Sequence, residues 1–318
     1  MKKTASFKND LYNFSVGFFM GGANVIPGVS GGTMLFIMGA FGKLVDAMRD
    51  IASLETLKML CRFDFKGLYN RIQWRILIVL GLGILVSFAT LAKLFVWLLK
   101  EHQMMTFAFF FGLIAASIIT VNKQMKKWTI PAIISAIIST AAAYAIISLV
   151  PTDTGNAWYI MILCGMICVI AMILPGLSGS FLMLIFGQYD RVWSVVGNVA
   201  HLKFVPSELL MLSLLSLGAV IGLGAFVHVL NYLMKHFYNC TVAALIGFMI
   251  GSVPRIWPFQ HAVETVTNSK GENVVTKIAY ELPGWNSQLL YVSLAALAGL
   301  ALVLLIEFFA SKRQTQEN

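Results

Sequence analysis

The sequence predicts an all-α, polytopic integral membrane protein made of two inverted-topology repeats, each a re-entrant (broken) helix hairpin followed by about three transmembrane helices. Three observations lead to this prediction. Of the 318 residues, 58% are hydrophobic and only 12% are charged, whereas soluble domains carry roughly 25% charged residues. Several apolar stretches reach the ~17–25 residues that a helix needs to cross a bilayer. A Pro-Gly-x-Ser-Gly segment interrupts the apolar sequence twice, at matching places in the two halves.

The two Pro-Gly-x-Ser-Gly segments are predicted breaks between short helices. The first occupies residues 27–31 and the second residues 175–179, each inside strongly apolar sequence. Proline pushes the residue before it out of helical geometry, and the glycines permit a tight turn. Each arm that flanks the first break is about 15 residues long, too short to cross ~30 Å of hydrocarbon comfortably. A re-entrant hairpin therefore fits each copy better than two full spans.

The start of the second arm of each hairpin is a candidate anion site. Ser30 and Ser178 can cap these arms, whose free N–H groups and positive dipole end face the break. Phosphate suits such a helix start. A kink between packed helices is the structural alternative. Two breaks at matching positions favour the binding site, because interrupted helices in transporters lie where the substrate binds.

The rest of the chain completes a single membrane domain over residues 1–318. Repeat 1 is predicted at about 11–150, repeat 2 at about 157–310, and an external polar loop at 258–286. Charged residues of both signs across 48–75 predict an amphipathic surface segment. The hairpin arms and the full spans are predicted, in chain order, at about 13–26, 33–47, 76–99, 103–121, 129–150, 158–174, 180–198, 208–233, 239–257 and 287–309.

The two halves align with each other, which predicts an internal duplication. An offset of 148 residues superimposes the hairpins, and an offset of 135 superimposes the later spans. The proline, glycine and serine matches carry the weight, because apolar segments align easily by chance. The matched pairs are Gly17 with Gly165, Pro27 with Pro175, Ser30 with Ser178, Gly39 with Gly187, Lys43 with Arg191, Gly83 with Gly218, Gly112 with Gly247 and Ser117 with Ser252.

Counting crossings predicts that the second repeat is inverted. A re-entrant hairpin plus three spans crosses the membrane an odd number of times, so the second copy starts from the opposite side. Such inverted repeats build transporter sites near the bilayer midplane. With the N-terminus inside, sixteen Lys and Arg residues fall inside and six fall outside. This positive-inside bias predicts that both termini are cytoplasmic.

Five charged residues outside the breaks are further candidates for the substrate-binding site. Lys43 and Arg191 follow the second arms, where each could meet a phosphate headgroup or snorkel to the interface. Lys93 and His228 are equivalent positions within spans, where an ionisable residue suggests function. His228 could relay a proton, and snorkelling or packing is the alternative for this pair. Arg255 stands three residues after the serine that ends a span in the second half.

We expect no enzyme activity, no cofactor and no metal site, because the required constellations are missing from the sequence. There is no nucleotide-binding loop and no HExxH pair. The Gly-x-Ser-Gly segments are not nucleophile elbows, since no strand precedes them. Cys164 and Cys168 lie one helical turn apart and are expected to be buried thiols. The net charge of +9 fits topology and anionic lipid, and no nucleic-acid motif is present.

The two breaks and the spans that follow them resemble the PopT-type polyprenyl-phosphate transporters, a bacterial family long catalogued as a domain of unknown function. The resemblance rests on NVIPGVSGGTML and ILPGLSGSFLML, with FFFGLIAAS and LIGFMIGSVP downstream, and extends over roughly residues 10–310. The second copy departs from the first, with Ser180 and Phe181 in place of Gly32 and Thr33. The motif residues that the resemblance implies for substrate binding are Pro27, Gly28, Ser30, Gly31, Pro175, Gly176, Ser178 and Gly179. The adjoining Gly32, Thr33 and Ser180 are further candidates for the substrate-binding site.

The resemblance implies that the protein returns undecaprenyl phosphate, the lipid carrier of wall-polymer precursors, from the outer to the cytoplasmic leaflet of the bacterial inner membrane. The implied partners are this lipid and the bilayer, and a coupling ion, proton or sodium, is left open with the oligomeric state. Two alternatives remain. One is a transporter or channel for a small anion, which would use the same helix starts. The other is a membrane enzyme acting on lipid phosphates, such as a phosphatase.

Overall fold

The computed structural model describes residues 7–25, 31–51, 53–149, 154–155, 157–200, 203–267, 273–281, 283–284 and 287–317. Within these ranges the chain is almost entirely helical and has one two-stranded sheet. Six helices are long and apolar enough to cross a membrane. The prediction of a polytopic helical membrane protein is confirmed.

The helices follow the predicted order along the chain. The first half forms α1 (Phe7–Val25), α2 (Gly31–Ile37), α3 (Phe41–Ile51), α4 (Leu54–Cys61), α5 (Phe65–Arg71), α6 (Trp74–Glu101), α7 (Gln103–Lys123) and α8 (Ile130–Ile147). The second half forms α9 (Trp158–Ile173), α10 (Gly179–Ile185), α11 (Tyr189–Ala200), α12 (Pro206–His236), α13 (Tyr238–Ser252), a 3-10 helix (Val253–Ile256), β1 (Gln260–Thr267), β2 (Asn273–Tyr280) and α14 (Ser287–Glu317). The six predicted full spans correspond to α6, α7, α8, α12, α13 and α14.

The second arm of each hairpin is shorter than the sequence suggested. The prediction of one continuous second arm, at about 33–47 in the first copy and 180–198 in the second, is wrong, because α2 and α10 have seven residues each. Gly39 and Gly187 follow these helices with φ of 67° and 66°. Glycine adopts this left-handed conformation without strain and commonly ends a helix there. After the turn the chain continues as separate helices, α3 and α11.

A β-hairpin lies within the predicted external loop. β1 and β2 pair antiparallel, with Gln260 opposite Tyr280. The hairpin is fixed to the preceding helices, since the Trp257 indole donates a hydrogen bond to the carbonyl of Glu281 (3.0 Å) and packs edge-on against Phe111 of α7. In the described part of the chain, this hairpin is the only departure from the predicted all-α fold.

The long helices pack in four close pairs: α1 with α6, α9 with α12, α8 with α13, and α7 with α14. Small residues allow the backbones to approach, as is common between membrane helices. A Cβ atom on Gly83 of α6 would collide with the carbonyl of Phe14, and a Cβ atom on Gly218 of α12 would collide with the carbonyl of Ile162. The offsets of 135 and 148 pair the two glycines and the two carbonyls, so corresponding positions make corresponding contacts.

We predict that Gly83→Ala destabilises the protein by about 1–3 kcal/mol, because the added methyl group forces α1 away from α6. Gly81 provides the matched control. It lies two residues away on the same helix, and a Cβ atom there meets nothing within 4 Å. Gly81→Ala should leave stability unchanged or raise it slightly, since alanine favours helix more than glycine does.

The measurement is the fraction of monodisperse protein that remains after heating in detergent. Equal thermal stability of the two variants would contradict the α1–α6 packing described above.

Candidate functional site

The backbone conformation of the second break follows from its proline and glycine residues, and the break is buried inside the protein. Leu174 ends α9 in an extended conformation, with ψ of 124°, as expected for a residue before proline. Gly176 has φ of 90°, a conformation that favours glycine. All five residues from 175 to 179 are buried. The backbone polar groups of the break are therefore shielded from lipid.

Two glycines fix the break against neighbouring helices. A Cβ atom on Gly176 would lie 2.7 Å from the carbonyl oxygen of Phe248 and 2.9 Å from the Oγ of Ser252, both on α13. A Cβ atom on Gly179 would lie 2.6 Å from the carbonyl oxygen of Cys168 on α9. These separations leave no room for a larger side chain, so the break is clamped between α9 and α13.

Ser178 does not act as the sequence predicted. It occupies the N-cap position of α10, but its hydroxyl makes no capping hydrogen bond. The Ser178 and Ser180 hydroxyls lie 2.8 Å apart and are hydrogen-bonded to each other. The predicted side-chain cap is therefore wrong at this copy. Because α10 is only seven residues long, its dipole also contributes less than the expected longer arm would have contributed.

Arg255 places a positive charge beside the second break. It lies in the 3-10 helix that continues α13, three residues after the buried Ser252. Its guanidinium carbon is 4.6 Å from the centroid of the Phe181 ring on α10, a cation–π contact. The side chain of Gln260 donates a hydrogen bond to the Arg255 carbonyl (3.0 Å). Arg255 is half-buried, and no carboxylate among the described residues forms an ion pair with it.

Tyr280 brings the β-hairpin to the same region. Burial raises the pKa of the Tyr280 phenol, the positive charge of Arg255 opposes this rise, and Tyr144 of α8 adds to it. The phenol therefore stays protonated at neutral pH and remains a hydrogen-bond donor. The Tyr280 phenol, the Arg255 guanidinium and the one hydroxyl of the Ser178–Ser180 pair that does not donate within the pair are hydrogen-bond donors in the region where α10 meets the end of α13. Such a set suits an anion.

The first break is described only from its second arm onward. Pro27, Gly28 and Ser30 lie outside the described residues, so their predicted roles stay predictions. Gly31 is buried, and its N–H donates to the Asn24 side-chain oxygen (2.8 Å), which caps α2. Sequence reasoning missed Asn24. Its signal was an amide side chain in the apolar C-terminal part of α1, just before the break.

Gly32 is also buried, and Thr33 lies in α2 with a side chain outside the described set. The two hairpins are neighbours, because α2 packs against α9, the helix that leads into the second break. Met34, Leu35 and Ile173 belong to one buried apolar cluster. Parts of both hairpins therefore share the core.

The position in the first half that corresponds to Arg255 is not cationic. An offset of 135 places Thr120 there, and its hydroxyl donates to a carboxylate oxygen of Glu307 on α14 (2.9 Å). Lys123 neutralises the same carboxylate through a 2.9 Å ion pair. One half thus carries a compensated charge pair, and the other half carries an arginine without a carboxylate partner in the described structure. The two ends of the molecule are chemically unequal.

The other charged candidates lie away from this group. Lys43 is exposed, with its Nζ 5.8 Å from the centroid of the Tyr12 ring, and Arg191 is exposed on α11. His228 is exposed on α12, and its Nδ1 is 2.7 Å from the carbonyl oxygen of Gly224 one turn earlier. Lys93 lies in α6, and its side chain is outside the described set. Among the described contacts, none joins these candidates to the second break.

Cys164 and Cys168 are buried on α9, with sulfur atoms 3.7 Å apart. In the portion of the chain that the structure describes, no three His, Cys, Asp or Glu side chains are grouped so that they could hold a metal ion. Cys164 and Cys168 are thus buried, as the sequence predicted. That these two thiols serve only for packing stays a prediction.

Comparisons with known proteins identify the family to which the chain is similar. Residues 20–274 match the model of a family described as undecaprenyl phosphate translocase-like. A Vibrio cholerae protein named polyprenyl-phosphate transporter is 36% identical over 311 residues, which cover 96% of this chain and 98% of that protein. A Staphylococcus aureus protein of the same name is 28% identical over 262 residues, which cover 77% and 86%. No solved structure matches the chain significantly.

The family match includes the second break, α10, α13 and Arg255, and the similarity to the Vibrio cholerae protein extends over nearly the whole chain. The chain therefore belongs to the undecaprenyl phosphate translocase-like family.

Proposed function

We propose that this protein translocates undecaprenyl phosphate and returns it from the outer to the cytoplasmic leaflet for reuse in cell-envelope polymer synthesis. The names of the two relatives support the substrate class, and both are named as transporters. The observation that carries the proposal is Arg255. Its half-buried guanidinium has no described carboxylate partner and lies against Phe181 of α10. An uncompensated buried charge is costly unless a ligand of opposite sign balances it.

Arginine is suited to a lipid phosphate. Its planar guanidinium can donate two parallel hydrogen bonds to phosphate oxygens. The Tyr280 phenol and the free hydroxyl hydrogen of the Ser178–Ser180 pair would supply the remaining donors. Arg255 lies in the last turn of the apolar window Tyr238–Ile256, close to the depth at which a lipid headgroup sits. The phosphate would enter there, and the polyprenyl tail would remain in the hydrocarbon.

The proposed orientation places both termini in the cytoplasm of a bacterial cell and the β-hairpin outside. The excess of Lys and Arg in the segments assigned to the inside supports this orientation. Arg255 then lies at the outer side, and the Thr120–Glu307–Lys123 group lies at the inner side. Arg255, which has no described carboxylate partner, would favour binding of the phosphate at the outer side. The Thr120–Glu307–Lys123 group, in which the charges of Glu307 and Lys123 neutralise each other, would favour its release at the inner side.

The proposed architecture is a pair of inverted repeats with a re-entrant hairpin in each. Matched glycine contacts support it. Gly112 of α7 packs against the backbone of Ala296 on α14, and its counterpart Gly247 of α13 packs against Ala136 on α8. Rocking of the halves would expose the site to each side in turn. We propose a proton or sodium gradient as the energy source, since the sequence has no nucleotide-binding loop.

We predict that Arg255→Gln lowers the apparent affinity of the protein for undecaprenyl phosphate about 10- to 100-fold. This corresponds to the ~1.5–3 kcal/mol of a hydrogen bond to a charged group. Arg255→Lys should be intermediate, because lysine keeps the charge and loses the two-pronged geometry. The measurement is leaflet transfer of a fluorescent polyprenyl phosphate in proteoliposomes, with and without proton and sodium gradients.

The control for this experiment is Lys100→Gln, which removes one exposed positive charge at the end of α6. It should transfer lipid like the wild type. Wild-type transfer by Arg255→Gln would refute the proposed site. Transport of inorganic phosphate by wild-type protein that moves no lipid would instead support the small-anion transporter. Release of phosphate from the lipid would support an enzyme.

We predict that Gly176→Ala abolishes transport or folding, whereas Gly155→Ala costs only the strain of its backbone conformation, about 1 kcal/mol. Both glycines have positive φ, 90° and 76°, but only Gly176 lies against α13. The measurements are the yield of monodisperse protein and lipid transfer at equal protein level. Equal behaviour of the two variants would show that the close approach to α13 is not required.

A further inference from the structure

The connection between α3 and α6 contains an element that the second half lacks. Helices α4 and α5 fill this connection, whereas only residues 201–205 join the corresponding helices α11 and α12. The sequence predicted an amphipathic surface segment here without assigning it a ligand. We call residues Leu54–Arg71 the α4–α5 element.

The α4–α5 element is a folded unit. Arg71 fixes α5 to the start of α4 by donating hydrogen bonds to the hydroxyls of Thr56 (3.1 Å) and Ser53 (3.2 Å). It also forms an ion pair with Glu55. The Thr56 hydroxyl in turn donates to the carbonyl of Asp50 at the end of α3 (2.6 Å). These bonds hold the element in a fixed position against α3.

The element displays large apolar side chains outward. Leu60, Phe63, Phe65 and Tyr69 are 53%, 75%, 66% and 69% exposed. The ring centroids of Phe63, in the turn between the helices, and Phe65, the first residue of α5, lie 6.2 Å apart. Phe63 has φ of 54°, which is a strained conformation for an aromatic residue. A fixed unit that exposes four such side chains close together in sequence indicates a binding surface.

The element carries a net positive charge, with four basic and two acidic side chains. Lys58, Arg62 and Lys66 are exposed, and none of them forms an ion pair with the described residues. Neighbouring arginines behave differently, since Arg71 pairs with Glu55 and Arg49 lies near Asp46 and Asp50. Asp46, Asp50 and Glu55 are thus engaged by Arg49 and Arg71, and the remaining acid of the element, Asp64, accepts the Gly67 N–H at the start of α5 (2.8 Å). The three outward cations are left for a ligand.

The position of the element identifies that ligand as the bilayer surface. α5 ends at Arg71, and the apolar span of α6 begins at Trp74. Two residues of extended chain reach only about 7 Å, so α5 lies beside the point where α6 enters the membrane. Aromatic and basic side chains together are typical of segments that lie in the headgroup region.

We propose that the α4–α5 element is a binding surface for anionic phospholipids. Its four apolar side chains would enter the headgroup region, and its three cations would contact lipid phosphates. Lysine and arginine can do both, because their stems lie along apolar surface while their charges reach the phosphates. In the proposed orientation this surface faces the cytoplasmic leaflet. The binding is independent of transport and concerns lipids that are not translocated.

Cys61 provides a reporter within the element. It is exposed, whereas Cys164 and Cys168 are buried and Cys240 is half-buried. The full chain carrying Cys240→Ser is labelled at Cys61 with a fluorophore and placed in nanodiscs of phosphatidylcholine with about one-third phosphatidylglycerol, a composition that carries a negative surface charge. Quenching by brominated phosphatidylglycerol is compared with quenching by brominated phosphatidylcholine at equal mole fraction.

We predict that the anionic lipid quenches more strongly and that high salt reduces the difference. The combined variant Lys58→Gln, Arg62→Gln, Lys66→Gln should lower the local preference for the anionic lipid, by about fivefold for each cation removed, until the two lipids quench equally. The combined variant Phe63→Ser, Phe65→Ser, Tyr69→Ser should reduce quenching by both lipids. These side chains are exposed, so the fold should be kept, and monodispersity checks this.

The matched control is Lys100→Gln, Lys127→Gln, Lys203→Gln, which removes the same charge at exposed positions elsewhere. It should keep the wild-type preference. Equal quenching by the two lipids in the wild type would overturn the proposal, and so would a preference that survives in the Lys58, Arg62 and Lys66 variant. Because the readout is fluorescence rather than transport, either result would leave the proposed translocation untouched.

Discussion

A backbone that leaves the helix within a membrane protein must find polar partners and be covered by protein, because lipid offers neither. The second break meets this requirement by burial. Residues 175–179 are buried, Gly176 touches α13, and Gly179 touches α9. This close contact places the start of α10 beside the end of α13. Phe181 and Arg255 are consequently in contact, and the proposed site depends on that contact.

The two halves share their packing but differ in their charges. Corresponding glycines bring corresponding helices together in each half, since backbone approach is a property of small residues rather than of charge. At the ends of α7 and α13, in contrast, Thr120 occurs where the second half has Arg255. In the proposed mechanism, the two repeats would supply the movement, and the unequal ends would supply the difference in affinity for the phosphate between the two sides of the membrane.

Sequence alone predicted the features that depend on local pattern. The six predicted apolar spans are six long helices in the described structure, and the repeated glycines lie where two helices are in contact. The sequence-based predictions failed for features that depend on contacts between residues far apart in the chain or on the local fold. Nothing in the motif showed that Gly39 and Gly187 would end the second arms, or that Ser178 would bond to Ser180 instead of capping α10. The partner of Arg255 could not be predicted either, because Phe181 lies 74 positions earlier and only the fold brings the two together. The β-hairpin was missed although its strands are rich in Val and Thr, residues that favour strands.

We propose that the phosphate of undecaprenyl phosphate binds between the second break and Arg255. A structure of the full chain in a lipid nanodisc with this lipid bound would test the proposed site. We expect phosphate density within about 3 Å of the Arg255 guanidinium nitrogens, above the Phe181 ring, with Ser178 and Ser180 facing it. Phosphate density at Lys43 or at the exposed Arg191, with Arg255 unoccupied, would contradict it.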